Sequence, residues 1–98
     1  MPASVRLMPD WCTGHSPCYP PRRNTSGSHN VFINTYPAHR VGDSWEVHCC
    51  PGGGCHSGRQ STGSRTYFCN GRPLARVGDN INCGSRNATG SPNHYVNT

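Results

Sequence analysis

The chain has 98 residues, enough for one domain with a small apolar core. Glycine, proline, serine, threonine and asparagine account for 47 of them, so the composition disfavours long helices and favours a turn-rich β structure. The net charge is +5, and the nine basic residues are all arginines, spread along the chain without a cluster. Because nucleic-acid-binding proteins usually carry a basic stripe with stacking aromatics, no nucleic-acid partner is expected.

The sequence contains no recognisable membrane span or export signal. The longest apolar runs, such as Val31-Phe32-Ile33, are far shorter than the roughly 20 residues that cross a bilayer. Residues 1–10 also lack the apolar segment of about 7–15 residues that marks a secretory signal peptide. We therefore expect a protein that is made in the cytoplasm without a signal peptide.

An internal repeat organises the chain. Residues 27–43 recur as residues 63–79, with nine of 17 positions identical and no gap. A third copy begins at Gly90, and residues 5–10 resemble its missing second half when Asp10 is aligned with Asp43. The sequence thus predicts a single domain, residues 1–98, built from three units: approximately residues 27–62, residues 63–89, and residues 90–98 completed by residues 1–26.

Each of these units is predicted to form a β-hairpin. Val31-Phe32-Ile33 and Tyr67-Phe68-Cys69 are short β-favouring runs, and Asn70-Gly71 has the residue types of a tight turn. The returning segments, residues 38–41 and 74–77, end at Gly-Asp pairs that favour a further turn. The pattern predicts an all-β fold of three pseudo-symmetric β-hairpin repeats.

Seven cysteines and six histidines indicate a metal site. An odd number of cysteines without a secretory signal disfavours a complete disulfide framework, and metal binding is another way to stabilise a small domain. Each unit has one metal-capable side chain four or five residues after its aspartate, and a fourth follows the glycines at 52–54. Three imidazoles and one thiolate suit tetrahedral Zn²⁺. The four candidates are His15, His48, His56 and Cys83.

Other side chains compete for this role. Cys49, Cys50 and Cys55 lie close in sequence to the candidate ligands and would bind Zn²⁺ strongly when ionised. Cys18 can form a disulfide with Cys12 or with Cys50. The remaining histidines occupy positions at which the other repeats offer no ligand, and they are weaker candidates: His29, His39 and His94.

Residues 37–43 and 73–79 resemble the proline-alanine-alanine-arginine (PAAR) repeat family. Each segment follows Gly-Ser and a short strand that ends in asparagine, and the similarity covers nearly the whole chain. Thr13-Gly14-His15 and residues 18–22 further resemble members found in contractile-tailed phages. The chain departs from the family pattern where Met8-Pro9-Asp10 replaces Val-Gly-Asp and where Thr35-Tyr36 replaces Asn-Gly.

The resemblance implies a small cone of β-hairpins with one structural zinc ion per chain near its apex. The three histidine ligands and one cysteine ligand of the family fall on His15, His48, His56 and Cys83. Because protein would fill all four positions, no site is left for an activated water, and no enzyme activity is expected.

The resemblance further implies a structural tip protein that caps and sharpens the trimeric β-helical central spike of a contractile injection machine. One tip monomer would bind each trimer and make transient contact with the target cell envelope as it pierces it. The expected location is the tail spike tip of a virion, or export by a type VI secretion apparatus, after synthesis in the bacterial cytoplasm. Apolar side chains at the wide end are expected to dock on the spike: Val31, Ile33, Tyr67 and Val96.

Two other functions would use the same residues. A small zinc-dependent hydrolase would bind the metal through three protein ligands and a water, with Asp43 or Glu46 as the base. A zinc-dependent nucleic-acid-binding module would show an affinity that falls steeply with salt. Three of the four acidic residues occupy equivalent turns of the repeats, which favours a structural role for them.

Overall fold

The computed structural model describes residues 2–96, so Met1, Asn97 and Thr98 of the predicted repeat units lie outside the described residues. The described residues contain strands but no helix, and therefore no helix able to cross a membrane; the all-β prediction is confirmed. Three antiparallel hairpins pair consecutive strands. The strands are β1 (Phe32–Ile33), β2 (Tyr36–Pro37), β3 (Ser44–Cys50), β4 (Gly54–Arg59), β5 (Phe68–Cys69) and β6 (Arg72–Pro73).

A triangular layer lies at the centre of the molecule. Its three sides are residues 4–6, 38–40 and 74–76, and each side pairs with the other two through antiparallel bridges. Their middle residues close a ring of backbone hydrogen bonds: Val5 N–H donates to Ala75 O (3.0 Å), Ala75 N–H to His39 O (2.9 Å), and His39 N–H to Val5 O (3.1 Å). The layer therefore has approximate three-fold symmetry within one chain.

A buried ion pair recurs on each side of the triangle. The carboxylate of Asp43 accepts hydrogen bonds from the backbone N–H of Arg40 (2.9 Å) and from its Nε (2.9 Å). A hydroxyl from the end of the preceding unit, that of Ser26 for Asp43, donates to the other carboxylate oxygen. The same arrangement joins Arg76 to Asp79 with Thr62, and Arg6 to Asp10 with Thr89. We call the three pairs the arginine–aspartate clamps.

The clamps correct the alignment of the first unit. Aligning residues 5–10 with residues 38–43 one by one places Arg6 opposite His39. In the structure Arg6 is instead the counterpart of Arg40, and Val5 that of His39. One extra residue is accommodated in the turn between Arg6 and Asp10, where Met8 has φ of +31°.

On one side of the triangle, six chain segments form a closed β layer. They are joined in a circle by the pairs Trp11↔Arg23, Asn24↔Trp45, Ser44↔Arg59, Gln60↔Ile81, Asn80↔Arg86 and Asn87↔Cys12. Every one of these described segments has a neighbour on both sides, so the layer has no exposed edge. Its interior holds Cys12, Trp45 and Ile81, which pack with Val5 and Ala75 of the triangle. Beyond this layer only turns and the β3–β4 hairpin continue, and the fold narrows to an apex.

On the other side of the triangle lie the hairpins β1–β2 and β5–β6. Their turns use residues with positive φ: Asn34 and Thr35 (+54° and +71°) in the first, Asn70 and Gly71 (+59° and +78°) in the second. Thr35, which departs from the family pattern, thus adopts the same left-handed backbone as Gly71. A second apolar core lies beneath the hairpins: Ile33, Ala38, Cys69, Leu74 and Val96.

We call the hairpins β1–β2 and β5–β6, together with the equivalent residues of the third repeat up to Val96, the hairpin layer. The alternation of strand residues decides which of its side chains face solvent. Ile33 and Val96 are only 4% exposed, so the expectation that they form the outer docking face is wrong. Their neighbours point outward instead: Phe32, Phe68 and Tyr95 are 56%, 54% and 48% exposed. These three aromatics occupy equivalent positions in the repeats, five residues after each Gly-Ser glycine.

Candidate metal centre

Three connections of the closed β layer bring the four predicted side chains together at the apex. His48 and His56 are cross-strand partners on β3 and β4, and therefore face each other. His15 lies in the loop between the segments at Trp11 and Arg23, and Cys83 lies in the short turn that follows Ile81. Since each of these connections lies in a different sequence repeat, the cluster joins all three repeats.

The donor atoms of the cluster are close enough to share one ion. The Nε2 atoms of His15, His48 and His56 lie 3.1 Å (15 to 48), 2.9 Å (15 to 56) and 2.9 Å (48 to 56) apart. Cys83 Sγ lies 3.9 Å from His48 Nε2, and the four donor atoms are all within 4.8 Å of one another. Two nitrogens bound to one tetrahedral Zn²⁺ lie about 3.3 Å apart, which is close to these distances.

Hydrogen bonds at the far side of two rings fix the tautomer of the neutral imidazole. His15 Nδ1 lies 3.0 Å from Ser16 O, and His48 Nδ1 lies 2.9 Å from Pro20 O. A carbonyl oxygen only accepts, so each Nδ1 carries the proton and each Nε2 of the neutral ring presents a lone pair. Two lone pairs facing each other at 3.1 Å repel unless a cation lies near both. The donor set therefore fits a metal ion better than it fits a hydrogen-bonded histidine pair.

The electrostatics of His56 favour the neutral form that metal binding requires. Burial, and then the neighbouring charges of His48 and His15 when they are protonated, lower the pKa of His56 below its ordinary value. A neutral imidazole keeps its lone pair available at neutral pH.

Tyr19 covers one face of the cluster, and sequence reasoning did not identify it. Its ring centroid lies 4.5 Å, 4.9 Å and 4.4 Å from those of His15, His48 and His56, and its hydroxyl donates to Gly53 O at 2.9 Å. The residue is nearly fully buried. Because it lies in a loop without an equivalent in the other repeats, the repeat pattern gives no signal for it.

The cysteines that competed for the site are joined in disulfides. Cys18 is bonded to Cys50, which excludes the alternative Cys12–Cys18 bond, and Cys49 is bonded to Cys55 across the β3–β4 hairpin. Cys83 is free and lies in the cluster. The other two free cysteines, Cys12 and Cys69, are buried in the apolar cores.

A close approach between two hairpins places the Cys83 side chain. A Cβ atom at Gly58 would lie 2.7 Å from Ile81 Cγ2 and 3.1 Å from Cys83 Sγ. Glycine at this position of β4 therefore lets the turn that carries Cys83 pack directly on the strand that carries His56.

The remaining histidines and acidic residues lie outside the cluster. His39 is buried in the triangular layer, His94 lies 2.6 Å from the hydroxyl of Ser4 through Nδ1, and His29 is exposed. Asp43, one of the two bases considered for a hydrolase, is held in a clamp by Arg40. The other, Glu46, is exposed and lies 3.5 Å from Arg22.

Comparison with known proteins identifies a family for this chain. The family model described as the PAAR motif matches residues 13–89, well over half of the 98 residues. The matched segment includes all four side chains of the apex cluster. No curated protein shows a significant match.

Proposed function

Because the chain belongs to the PAAR-motif family, whose members are structural tip proteins of contractile injection systems, we propose that it caps the trimeric β-helical central spike. The family supports a location at the tip of a phage tail or of a type VI apparatus, in association with a spike protein. The capping of a trimer, the sharpening of its end and the piercing of the target envelope are the specific steps that we propose.

The proposed role requires a narrow and rigid apex. A point has too little volume for an apolar core, so cross-links must replace burial there. We propose His15, His48, His56 and Cys83 as the ligands of one structural Zn²⁺ per chain. Bound zinc would supply folding free energy by joining the three repeats at the apex. The lone pairs that face one another at the apex support this assignment.

The observation that carries the capping proposal is the set of exposed aromatics on the hairpin layer. Phe32, Phe68 and Tyr95 occupy equivalent positions of the repeats, and each is about half exposed. Large exposed aromatics are enriched where proteins meet partners. The hairpin layer lies on the side of the triangle away from the metal cluster, so contact there leaves the apex free.

Three-fold repetition within one chain explains a stoichiometry of one tip per trimer. A three-fold axis presents three identical surfaces to whatever binds on it. The triangular layer sets three equivalent directions, and the three outward aromatics of the hairpin layer can match those surfaces with a single chain. We accordingly propose three units, residues 27–62, residues 63–89, and residues 90–98 completed by residues 1–26, as the elements that match the three spike subunits.

Native mass spectrometry of the chain mixed with the cognate spike trimer tests this proposal. We expect one tip chain per trimer and no larger assembly. The triple variant F32S/F68S/Y95S should lose the complex while keeping its melting temperature. Val47→Ser is the matched control, because Val47 is 51% exposed but lies on β3 rather than on the hairpin layer. A complex that survives the triple variant would contradict the docking surface.

A further inference from the structure

The positive charge of the protein is displayed almost entirely by surface arginines outside the clamps. Three of the nine arginines are held in clamps by Asp10, Asp43 and Asp79, which are three of the four acidic residues. The fourth, Glu46, is exposed beside Arg22. Six arginines therefore carry the net charge of +5 at the surface: Arg22, Arg23, Arg59, Arg65, Arg72 and Arg86.

Three of these arginines are equivalent by sequence and by structure. Arg23, Arg59 and Arg86 each begin the pattern Arg-(Asn or Gln)-x-(Ser or Thr)-Gly-Ser, which occurs once per repeat. In the structure each one lies in the closed six-segment layer, on the segment by which the chain returns from the apex. We call this set the arginine belt, because it places one guanidinium on each of the three sides of the cone.

The rest of the pattern has visible structural reasons. The residue after each arginine is buried, so the alternation of the strand turns the arginine itself outward. The Ser or Thr three positions on donates to a clamp aspartate, as Ser26 does to Asp43. The glycine lies against a backbone carbonyl: a Cβ at Gly27 would be 2.8 Å from Ala38 O.

No comparable packing role accounts for the belt. Arg23 lies over the ring of Trp11 at 4.7 Å, and Arg59 donates to the carbonyl oxygen of Gly42 at 3.0 Å. Among residues 2–96 none of the three belt arginines forms a salt bridge, whereas every clamp arginine does. These two contacts differ from each other, so they do not explain why an arginine recurs at this position of every repeat. Three like charges at equivalent, solvent-facing positions repel one another weakly.

We propose that the arginine belt binds the phosphate groups of anionic lipids when the cone enters the target envelope. The inference rests on the proposed function, because only a protein that passes through a membrane contacts its lipids on all three sides of the cone at once. A belt with one guanidinium per side suits that geometry, and guanidinium groups bind phosphate through paired hydrogen bonds. Trp11, 37% exposed beneath Arg23, adds a side chain of the kind that favours the membrane interface.

Binding to vesicles tests the belt. The zinc-loaded chain is sedimented with phosphatidylcholine vesicles that either contain or lack phosphatidylglycerol. We expect binding only to the anionic vesicles. An arginine near an anionic surface contributes about a fivefold gain in affinity, so the variant R23Q/R59Q/R86Q should lose affinity by a factor on the order of 100.

The control variant R22Q/R65Q/R72Q removes the same amount of charge from outside the belt and should bind much more tightly than the belt variant. Equal losses in both variants would show that net charge alone acts and would overturn the proposal. It would also be overturned by equal binding to neutral vesicles or by no binding to anionic ones. If the triple variant fails to fold, Arg86→Gln alone should cost about fivefold.

The outcome is separable from that of the capping experiment. The belt variant should still form the complex with the spike trimer, because its substitutions lie outside the hairpin layer. Failure of the wild-type chain to bind vesicles, with trimer binding intact, would contradict the belt alone. Failure to bind the trimer would contradict the capping proposal, whatever the vesicles show.

Discussion

The triangular layer and the apex are stabilised in different ways. In the triangular layer the same clamp occurs three times, formed by residues three or four apart in sequence. At the apex the stabilising groups come from distant parts of the chain and do not repeat. One repeat supplies His15, another both His48 and His56, and the third Cys83.

This difference follows from the volume available in each region. The triangular layer lies between two apolar cores, so its charges can be buried and paired locally. The apex is a single hairpin with two flanking turns, and it has no apolar core of its own. Cross-links take the place of burial there: the Cys49–Cys55 disulfide within the β3–β4 hairpin, the longer-range Cys18–Cys50 disulfide and the proposed zinc.

The largest expected effect comes from removing a zinc ligand. Structural zinc contributes about 10–16 kcal/mol to the folding of zinc-finger peptides, so Cys83→Ser should abolish stoichiometric zinc and strongly lower the melting temperature. Metal analysis by plasma mass spectrometry and thermal unfolding with and without chelator measure both effects. His29→Ala, an exposed histidine outside the cluster, is the control. An unchanged zinc content in Cys83→Ser would contradict the ligand assignment.

Breaking one clamp should destabilise the triangular layer without removing zinc. Arg40 and Asp43 have side chains that are only 9% and 3% exposed. Leaving a buried carboxylate without its partner costs about 3–5 kcal/mol. Arg72 Nη1, 3.3 Å from Asp43 Oδ1, stays as a half-exposed partner, so Arg40→Met should lower the free energy of unfolding by up to this amount. Denaturant titration measures it, with the exposed Arg65→Met as the control. If Arg40→Met loses zinc at temperatures where it is still folded, the triangular layer and the apex are coupled rather than stabilised independently.

Mild acid should weaken the triangular layer through His39. Burial lowers the pKa of His39, and this outweighs the bond to Ser26 O and the charge of Asp43, which raise it. The unfolded chain therefore binds more protons, so stability is greatest above an unfolded pKa of about 6.5 and falls as the pH drops below it. The variant His39→Val has the same residue as the equivalent position 5. Its stability should decline less between neutral and mildly acidic pH than that of the wild type, when both proteins are zinc-saturated. Parallel declines would show that His39 does not titrate on unfolding.

Stronger acid should release the clamp between Arg40 and Asp43. Burial raises the pKa of Asp43, but the hydrogen bonds from the side chain and backbone of Arg40 bring it below its ordinary value. The stability from this carboxylate is therefore complete above an unfolded pKa of about 3.9 and is lost as the pH falls through the lower folded value. A second acid transition, absent in Asp43→Asn, is expected in unfolding curves recorded without zinc.

The smallest effect is expected in the β1–β2 turn. Thr35 has φ of +71°, which a β-branched residue rarely adopts, while Gly71 meets the same requirement in the β5–β6 turn without strain. Thr35→Gly should stabilise the chain by about 1 kcal/mol, and Gly71→Thr should destabilise it by a similar amount. Chemical denaturation of the two variants measures both changes. Destabilisation by Thr35→Gly would show that the threonine side chain has a packing role.

The repeat made much of the fold predictable, because side chains that recur at a fixed period must serve the same contacts. It indicated the hairpins, and the spacing from each aspartate pointed to three of the four side chains that the structure brings together at the apex. The glycines at 52–54 pointed to the fourth, His56. The arginine belt was also present in the sequence, four residues before the start of the recognised repeat at Gly27. Ile33 and Val96 were placed on the wrong face because hydrophobicity alone does not tell which side of a two-residue strand is covered.

The rest could not be inferred because it depends on segments that occur once. Tyr19 and the carbonyl groups of Ser16 and Pro20 surround the cluster from an irregular loop that no other repeat contains. The pairing of Cys18 with Cys50 depends on how that loop folds against β3. The extra residue between Arg6 and Asp10 shifted the alignment, since a gap in a short degenerate repeat leaves no trace in composition.

The ring of hydrogen bonds in the triangular layer also constrains when the protein can fold. Val5 bonds to Ala75 and His39, and Val96 N–H donates to Pro2 O at 3.0 Å, so residues 2–5 pair with residues that are made much later. The layer cannot close before residues 74–76 have been synthesised, and contacts of such long sequence separation slow folding. Until then the hairpins of the first two repeats are left with unpaired strand edges, which makes the nascent chain the stage most exposed to aggregation.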